Sequence, residues 1–429
     1  MDQHLETFRL DNGLRVTIAP DHTVPAVSVN LWYHVGSANE PEGRTGFAHL
    51  FEHMLFQGSE NVAANEHFEL IQRAGGTLNG STWLDRTNYY ETLPANYLEL
   101  ALWLEADRMG RLLPAMTQDK LDTQRDVVKN ERRWSVDNQP YGTWWERLPA
   151  LAYPAGHPFH HSLIGSFEDL DAATLDDVRE FFALHYTPDN AVLSIVGDVD
   201  PNEARALVAN HFAGIAAGSR RPPPPSMALP EAPSMGAREV IRDSVAATRL
   251  FAAYRVPPFG TDDAVVASVF GTLLGSRRGS VLHQALVRGS QMATEVRAFT
   301  FDLPTAMDLL ILDVTAHPGI TPEELEGAVA REVERVVVQG VQAASDVPRA
   351  IAVAENEYVL TLESSEGRAD TLSKFATYLG DPRLVFGYAD RLRAVTAERM
   401  DQFAARYLKQ QDQVTLVYVP NGDNSLGGA

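Results

Sequence analysis

The sequence predicts an α+β protein: two tandem homologous α+β domains, each an antiparallel-rich sheet packed with helices. Three observations predict it. Strands of alternating polarity stand among long amphipathic helices in mixed order, not in strict βαβ alternation. The order of elements in the first half returns in the second. Between the halves lies a proline-rich stretch that neither helix nor sheet interior tolerates.

The elements follow in chain order. FRLDNGLRVTIAP, with Asp11-Asn12-Gly13 at its centre, reads as two strands joined by a tight turn. AVSVNLWYHVG (26–36) alternates as a strand and leads into a helical segment ending at Gly58-Ser59. Tyr97 to Leu112 and Met116 to Trp134 have the apolar spacing of amphipathic helices. Thr174 stands at an N-cap position, with acidic residues in the first turn, and that helix leads through Tyr186 into the strand AVLSIVGD. Residues 216–236 carry Pro222 to Pro225, Pro230 and Pro233, and form a semi-rigid spacer. Beyond it the pattern repeats. ATRLFAAYRVPP (247–258) precedes DDAVVASVFGTLLGS, with Gly275-Ser276 in the place of Gly58-Ser59, and Thr396 caps a helix that leads through Tyr407 to VTLVYV. Domains are therefore expected at 1–215 and 237–429, joined by the linker 216–236.

Composition narrows the function classes. Lys plus Arg number 36 and Asp plus Glu 57, a net charge of −21 that repels nucleic-acid phosphates and anionic membrane surfaces. The chain has no cysteine, which excludes disulfides, thiol catalysis and thiolate metal sites. Any tightly held metal must use histidine, carboxylate or carbonyl ligands. No run of about 18 apolar residues is present, and the N-terminus lacks the basic and apolar regions of a leader. The expectation is a cytoplasmic protein, or a periplasmic one if a leader was removed.

The chemistry concentrates in HLFEH, residues 49–53. On a helix His49 and His53, at i and i+4, share a face and can aim at one ion, while Glu52 lies beside them. Neutral imidazoles suit zinc, which brings the pKa of a bound water from 15.7 to about 7. Two histidines leave room for a third protein ligand. Glu131, on the later amphipathic helix, is one candidate, although spacing alone does not raise it above the other charged residues of that run.

His49-x-x-Glu52-His53, followed by Asp126-Val-Val-x-x-Glu131 and Asp137-Asn138-x-Pro140-Tyr141-Gly142, closely resembles the pitrilysin and mitochondrial-processing-peptidase family of inverzincin zinc peptidases. The likeness runs over nearly the whole chain. It includes Gly75 to Thr82 with Asp85-x-Thr87 behind it, His157-Pro158-Phe159, Tyr186-x-Pro188-x-Asn190 and Gly197-Asp198. The resemblance implies a zinc metalloendopeptidase with one zinc per chain, held by His49, His53 and Glu131, and Glu52 as general base. The first domain would be catalytic and the second a homologue without the metal motif. Asn79 and Gly80 would sit on an edge strand that pairs with an extended peptide substrate.

Two departures from the family pattern stand out. Gln124, seven residues before Glu131, replaces a glutamate that would orient the metal site from behind the ligands. Arg288 matches a substrate-contacting arginine, but Thr294 stands where its tyrosine partner belongs. The missing donor implies a heterodimer in which a paralogous subunit supplies an arginine–tyrosine pair. The alternative is a non-catalytic structural or peptide-binding subunit of a larger assembly with the same fold. Four other signals have plainer readings: His160-His161 as loop histidines, Gly275 to Gly279 as a post-helical loop, Asp198 and Asp200 as turn residues, and Trp144-Trp145 as chamber lining, core or interface.

Overall fold

A computed structural model of the protein describes residues 5–219, 225–229, 236–341 and 346–421. Pro222, Pro223 and Pro224 of the expected spacer, with Pro230 and Pro233, lie outside the described residues. Among the described residues no helix is long and apolar enough to cross a membrane.

The first compact unit holds a six-stranded sheet. Its strands are β1 (Glu6–Arg9), β2 (Arg15–Pro20), β3 (Ala26–Tyr33), β4 (Thr77–Thr82), β5 (Thr87–Pro94) and β6 (Ala191–Gly197), in the order β1-β2-β6-β3-β5-β4. Only β2 and β6 run parallel; every other pair is antiparallel. β4 is an edge strand, paired to β5 alone, with Asn79 opposite Tyr90 and Gly80 opposite Tyr89. Four helices matter for the site: α1 (Phe47–Met54), α2 (Glu66–Arg73), α3 (Leu98–Ala115) and α4 (Gln118–Arg132).

Among the described residues, the second unit repeats that sheet without the first strand. β7 (Arg238–Asp243), β8 (Arg249–Val256), β9 (Ala293–Thr300), β10 (Asp308–Ala316) and β11 (Val414–Pro420) are ordered β7-β11-β8-β10-β9. Here β7 and β11 are the parallel pair. Strand for strand, β7, β11, β8, β10 and β9 take the places of β2, β6, β3, β5 and β4. The strands that match in sequence, 26–36 with 247–258 and 191–198 with 414–419, also match in sheet position.

The compact units do not follow the contiguous halves 1–215 and 237–429. Unit one comprises residues 1–132, 161–225 and 360–387; unit two comprises 133–160, 226–359 and 388–429. Each sheet thus borrows a helix from the other half of the chain, and the side-chain pattern of β3 gives the reason. Its odd positions, Val27, Val29, Leu31 and Tyr33, are apolar and fully buried. Its even positions, Ser28, Asn30 and Trp32, carry polar groups and are just as buried, so each needs a partner. The helix Ser365–Tyr378 supplies them. Asp370 Oδ1 accepts from Trp32 Nε1 (2.9 Å), Asn88 Nδ2 (3.1 Å) and Asn30 Nδ2 (3.3 Å), and Ser365 Oγ lies 2.8 Å from Ser28 Oγ. In unit two the borrowed helix is α5 (Trp144–Ala152), whose Trp144 ring stacks on Phe251 of β8 at 4.8 Å. The Trp144-Trp145 pair belongs to this packing, with Trp145 stacked on Phe301 at 5.5 Å.

Candidate metal centre

α1 divides its residues by face. Phe47, Ala48, Leu50, Phe51 and Met54 are buried, with Phe51 stacked on Tyr186 and packed against Phe181 of the helix Leu175–His185. His49, Glu52 and His53 take the opposite face. α4 brings Glu131 to them. Leu121, Gln124 and Val128 form its buried stripe, and Glu131 continues that stripe by one turn.

The three side chains converge. His49 Nε2 stands 3.6 Å from Glu131 Oε1, and His53 Nε2 stands 3.2 Å from Glu131 Oε2. The imidazole rings are 4.8 Å apart and nearly perpendicular. One ligand atom from each of the three residues lies within 4.8 Å of the others. Ligand atoms at 2.0–2.1 Å around a tetrahedral zinc stand about 3.3 Å apart, so this donor set fits the ion in spacing and in chemistry. Burial pushes the His49 pKa down to about 4, with the His53 charge adding to the effect and Glu131 opposing it. A neutral imidazole is the form that can ligate. Glu131 is held below the usual carboxylate range by its hydrogen bond with His53.

Glu52 faces β4. Its Oε2 accepts from Thr82 Oγ1 at 2.7 Å. Its Cγ and Oε1 lie against Gly80, each 3.2 Å from where a Cβ on that residue would stand. Burial raises the Glu52 pKa, while Thr82, His53 and Arg86 pull it back. Thr82 was not singled out in the sequence, although the period of two along a strand puts it on the same face as Gly80.

The other expected site residues fall as follows. Asn79 is exposed on the edge strand, and its Oδ1 accepts from the Gly80 N–H at 2.9 Å. Gln124 is buried two turns before Glu131. Arg288 is exposed in unit two on the π-helical segment His283–Gly289, and Thr294 is exposed on β9 with Oγ1 3.3 Å from Thr315 O. His160 Nδ1 bonds the backbone oxygen of Tyr153 at 2.8 Å.

A second group with metal-ligand spacing is His67, Glu91 and Glu105, all buried. Its cation is already present. Arg108, 2% exposed, pairs with Glu105, stands 3.7 Å from Glu91 and lies 4.0 Å over the Tyr89 ring. A metal there would compete with a buried guanidinium.

Known proteins share this fold. The description Insulinase (Peptidase family M16) matches residues 15–160, and Peptidase M16 inactive domain matches residues 172–352. Zinc protease PqqE of Helicobacter pylori (strain ATCC 700392 / 26695) is 30% identical over 421 residues, covering 97% of this chain and 93% of the relative. The chain belongs to peptidase family M16. Among solved structures, a protease from Helicobacter pylori superposes with a TM-score of 0.90 at 28% identity, over 97% of this chain and 100% of that one. A Pseudomonas fluorescens structure described as a peptidase M16 inactive domain shares the fold, with a TM-score of 0.83 at 18% identity over 97% and 98%. His49, Glu52, His53 and Glu131 all fall in the first M16 match; the span described as inactive contains none of them.

Proposed function

We propose that this M16 chain is a zinc metalloendopeptidase of the inverzincin type that hydrolyses extended or short polypeptides. The observation that carries the reading is the convergence of His49, His53 and Glu131 beside a half-buried Glu52 that faces the edge strand β4. His49, His53 and Glu131 would hold one zinc ion, which when bound polarises the scissile carbonyl and acidifies the attacking water. The remaining work belongs to the chain. Thr82 engages Glu52 Oε2, which leaves Oε1 to take a proton from the attacking water and return it to the leaving amine. The burial that raises the Glu52 pKa brings it toward the range in which one group can serve as base and then as acid. β4 pairs with β5 on one side alone, and an extended peptide can add on the other as a further strand, taking the Gly80 N–H that Asn79 Oδ1 now accepts. Backbone pairing gives loose sequence preference, which suits short or unfolded substrates.

The partner remains part of the proposal. Thr294 has no phenol to place against a developing oxyanion, and the loss of one such donor costs about 2.7–4 kcal/mol of transition-state stabilisation. A paralogous subunit with an arginine–tyrosine pair would restore it. The test is peptide hydrolysis by the chain alone and mixed with its paralogue, with zinc measured on the same samples and Glu52→Gln as control. Zinc in the sample, activity in the mixture alone and loss of activity in the variant support the whole reading. Full activity without the paralogue removes the heterodimer. Neither zinc nor hydrolysis in any sample leaves a peptide-binding module.

A further inference from the structure

The helix that carries His49, Glu52 and His53 cannot cap itself. Its N-cap is Gly46, in the left-handed region at φ 87°, with no side chain to accept the first-turn N–H groups. The acceptor comes from Glu40, just beyond the 3₁₀ turn Ser37–Asn39. Glu40 Oε2 accepts from Gly46 N–H at 2.9 Å, and Oε1 accepts from Ala48 N–H at 2.8 Å. The side chain is fully buried, with His161 Nδ1 3.5 Å from Oε2. Burial pushes the Glu40 pKa well up, and its backbone N–H donors and the positive end of the helix dipole pull against that.

We propose that Glu40 is a positioning residue for the metal centre: it fixes α1 against β4 and α4, and with it the aim of His49, Glu52 and His53. The proposal rests on the zinc-peptidase reading above. Two lines of contact meet at this cap. On one side, Ser37 N–H and Ala38 N–H donate to Trp83 O (3.2 Å) and Leu84 O (2.7 Å), directly after Thr82. Gly36 closes the approach, since a Cβ there would stand 2.3 Å from Trp83 O. The segment after β4 therefore holds the turn, the turn presents Glu40, Glu40 holds α1, and Glu52 of α1 returns to Thr82. On the other side, Arg132 Nη1 donates to Gly165 O at 2.6 Å, one residue beyond Glu131. The Ile164-Gly165 backbone lies against Gly46, where a Cβ would stand 2.5 Å from Ile164 O. The base, the two histidines and the third ligand are thus referenced to one point. Glutamine cannot replace Glu40 there, because an amide offers one acceptor oxygen and would turn an NH₂ toward a backbone N–H.

The test compares zinc affinity of the wild-type full chain, Glu40→Gln and Glu131→Gln by chelator competition, with Tm of the zinc-free proteins alongside. Expected is zinc binding by the wild type that Glu131→Gln abolishes, and an affinity in Glu40→Gln lowered by about tenfold or more. In the active assembly kcat falls while KM changes by less than about twofold. A wild type that binds no zinc overturns the metal reading and this proposal together. A wild type that binds zinc, with Glu40→Gln folded and binding it equally well, overturns the proposal alone. Should the variant not fold, amide hydrogen exchange on the wild type decides. Coupling between cap and ligands is reciprocal, so zinc must slow exchange at the Gly46 and Ala48 amides. Unchanged exchange there, with zinc bound, overturns the proposal.

Discussion

α1 with β4 in unit one, and the helix Asp262–Gly275 with β9 in unit two, occupy equivalent places in equivalent sheets and solve opposite problems. The unit-two helix caps itself, with Thr261 Oγ1 accepting from Ala264 N–H at 3.2 Å. It buries Val265, Val266, Val269, Phe270, Leu273 and Leu274. Its backbone closes directly onto the edge strand, since a Cβ on Gly275 would stand 2.4 Å from Ala298 N. In unit one the glycine lies on the strand. Gly80 of β4 makes room for the Glu52 side chain, and the helix is short, externally capped and polar on that face. The lesson concerns where space is left. A glycine on the helix lets backbone meet backbone; a glycine on the strand makes room for a titratable side chain.

The largest expected effect falls on the polar side of that contrast. Glu52→Gln should lower peptide hydrolysis by about 10²–10⁴-fold, the range for a general acid–base, while zinc content is unchanged. Zinc lost along with activity would instead make Glu52 part of the ion's support.

The borrowed helix comes next. Asp370→Ala leaves the Trp32 and Asn30 donors without their acceptor and Asn88 with Asn30 Oδ1 alone. Denaturant unfolding should register a loss of about 3 kcal/mol or more. Asp381→Ala, which removes a single bond to the Arg383 N–H at an exposed turn, should cost about 1 kcal/mol or less. Equal values would mean that β3 does not need its partner from the other half of the chain.

His185 packs behind α1, with its ring 4.6 Å from that of Phe181. Burial lowers its pKa to about 4 from an ordinary 6.5. The unfolded chain therefore binds the extra proton between pH 6.5 and 4, and the folded protein loses stability as pH falls through that window. His185→Phe removes this loss. Relative to wild type it should gain stability as the pH drops, approaching about 3 kcal/mol near pH 4 at about 1.4 kcal/mol per pKa unit. A difference that stays flat between pH 7 and 4 would refute the assignment.

The smallest effects test the two glycines directly. Gly275→Ala should cost about 1–3 kcal/mol of stability, because its Cβ meets backbone, with activity per folded molecule unchanged. Gly80→Ala meets the Glu52 and Tyr89 side chains at 3.2 Å, which can give by a few tenths of an ångström. Its stability should move by less than about 1 kcal/mol, while kcat falls by about three- to tenfold as Glu52 is displaced. The reverse pattern would erase the distinction between the halves.

Much of this was legible from local periodicity. A helix repeats every 3.6 residues whatever surrounds it, so HLFEH by itself puts His49, Glu52 and His53 on one face. Strand alternation and the internal repeat likewise gave the strands that hold equivalent places in the two sheets. Glu131 was legible only through resemblance, since nothing along the chain separates it from its charged neighbours. Thr82 and Glu40 stayed silent because a hydroxyl in a strand and a glutamate after a turn are ordinary until their partners are known. The buried polar stripe of β3 was visible as Ser28, Asn30 and Trp32, but its explanation lay more than 300 residues away, in Asp370.

The sequence alone determined which residues share a helix face, which segments alternate as strands, that the pattern occurs twice, and that any metal must be held without thiolates. Tertiary structure decided that Glu131 reaches the two histidines, that Thr82 and Gly80 receive Glu52, that Glu40 caps the helix that carries them, and that each sheet takes a helix from the other half. The division has one physical cause. Faces of helices and strands follow from bond geometry that every residue carries with it, whereas the meeting of segments far apart in the chain is set by packing and by the need of buried polar groups for partners.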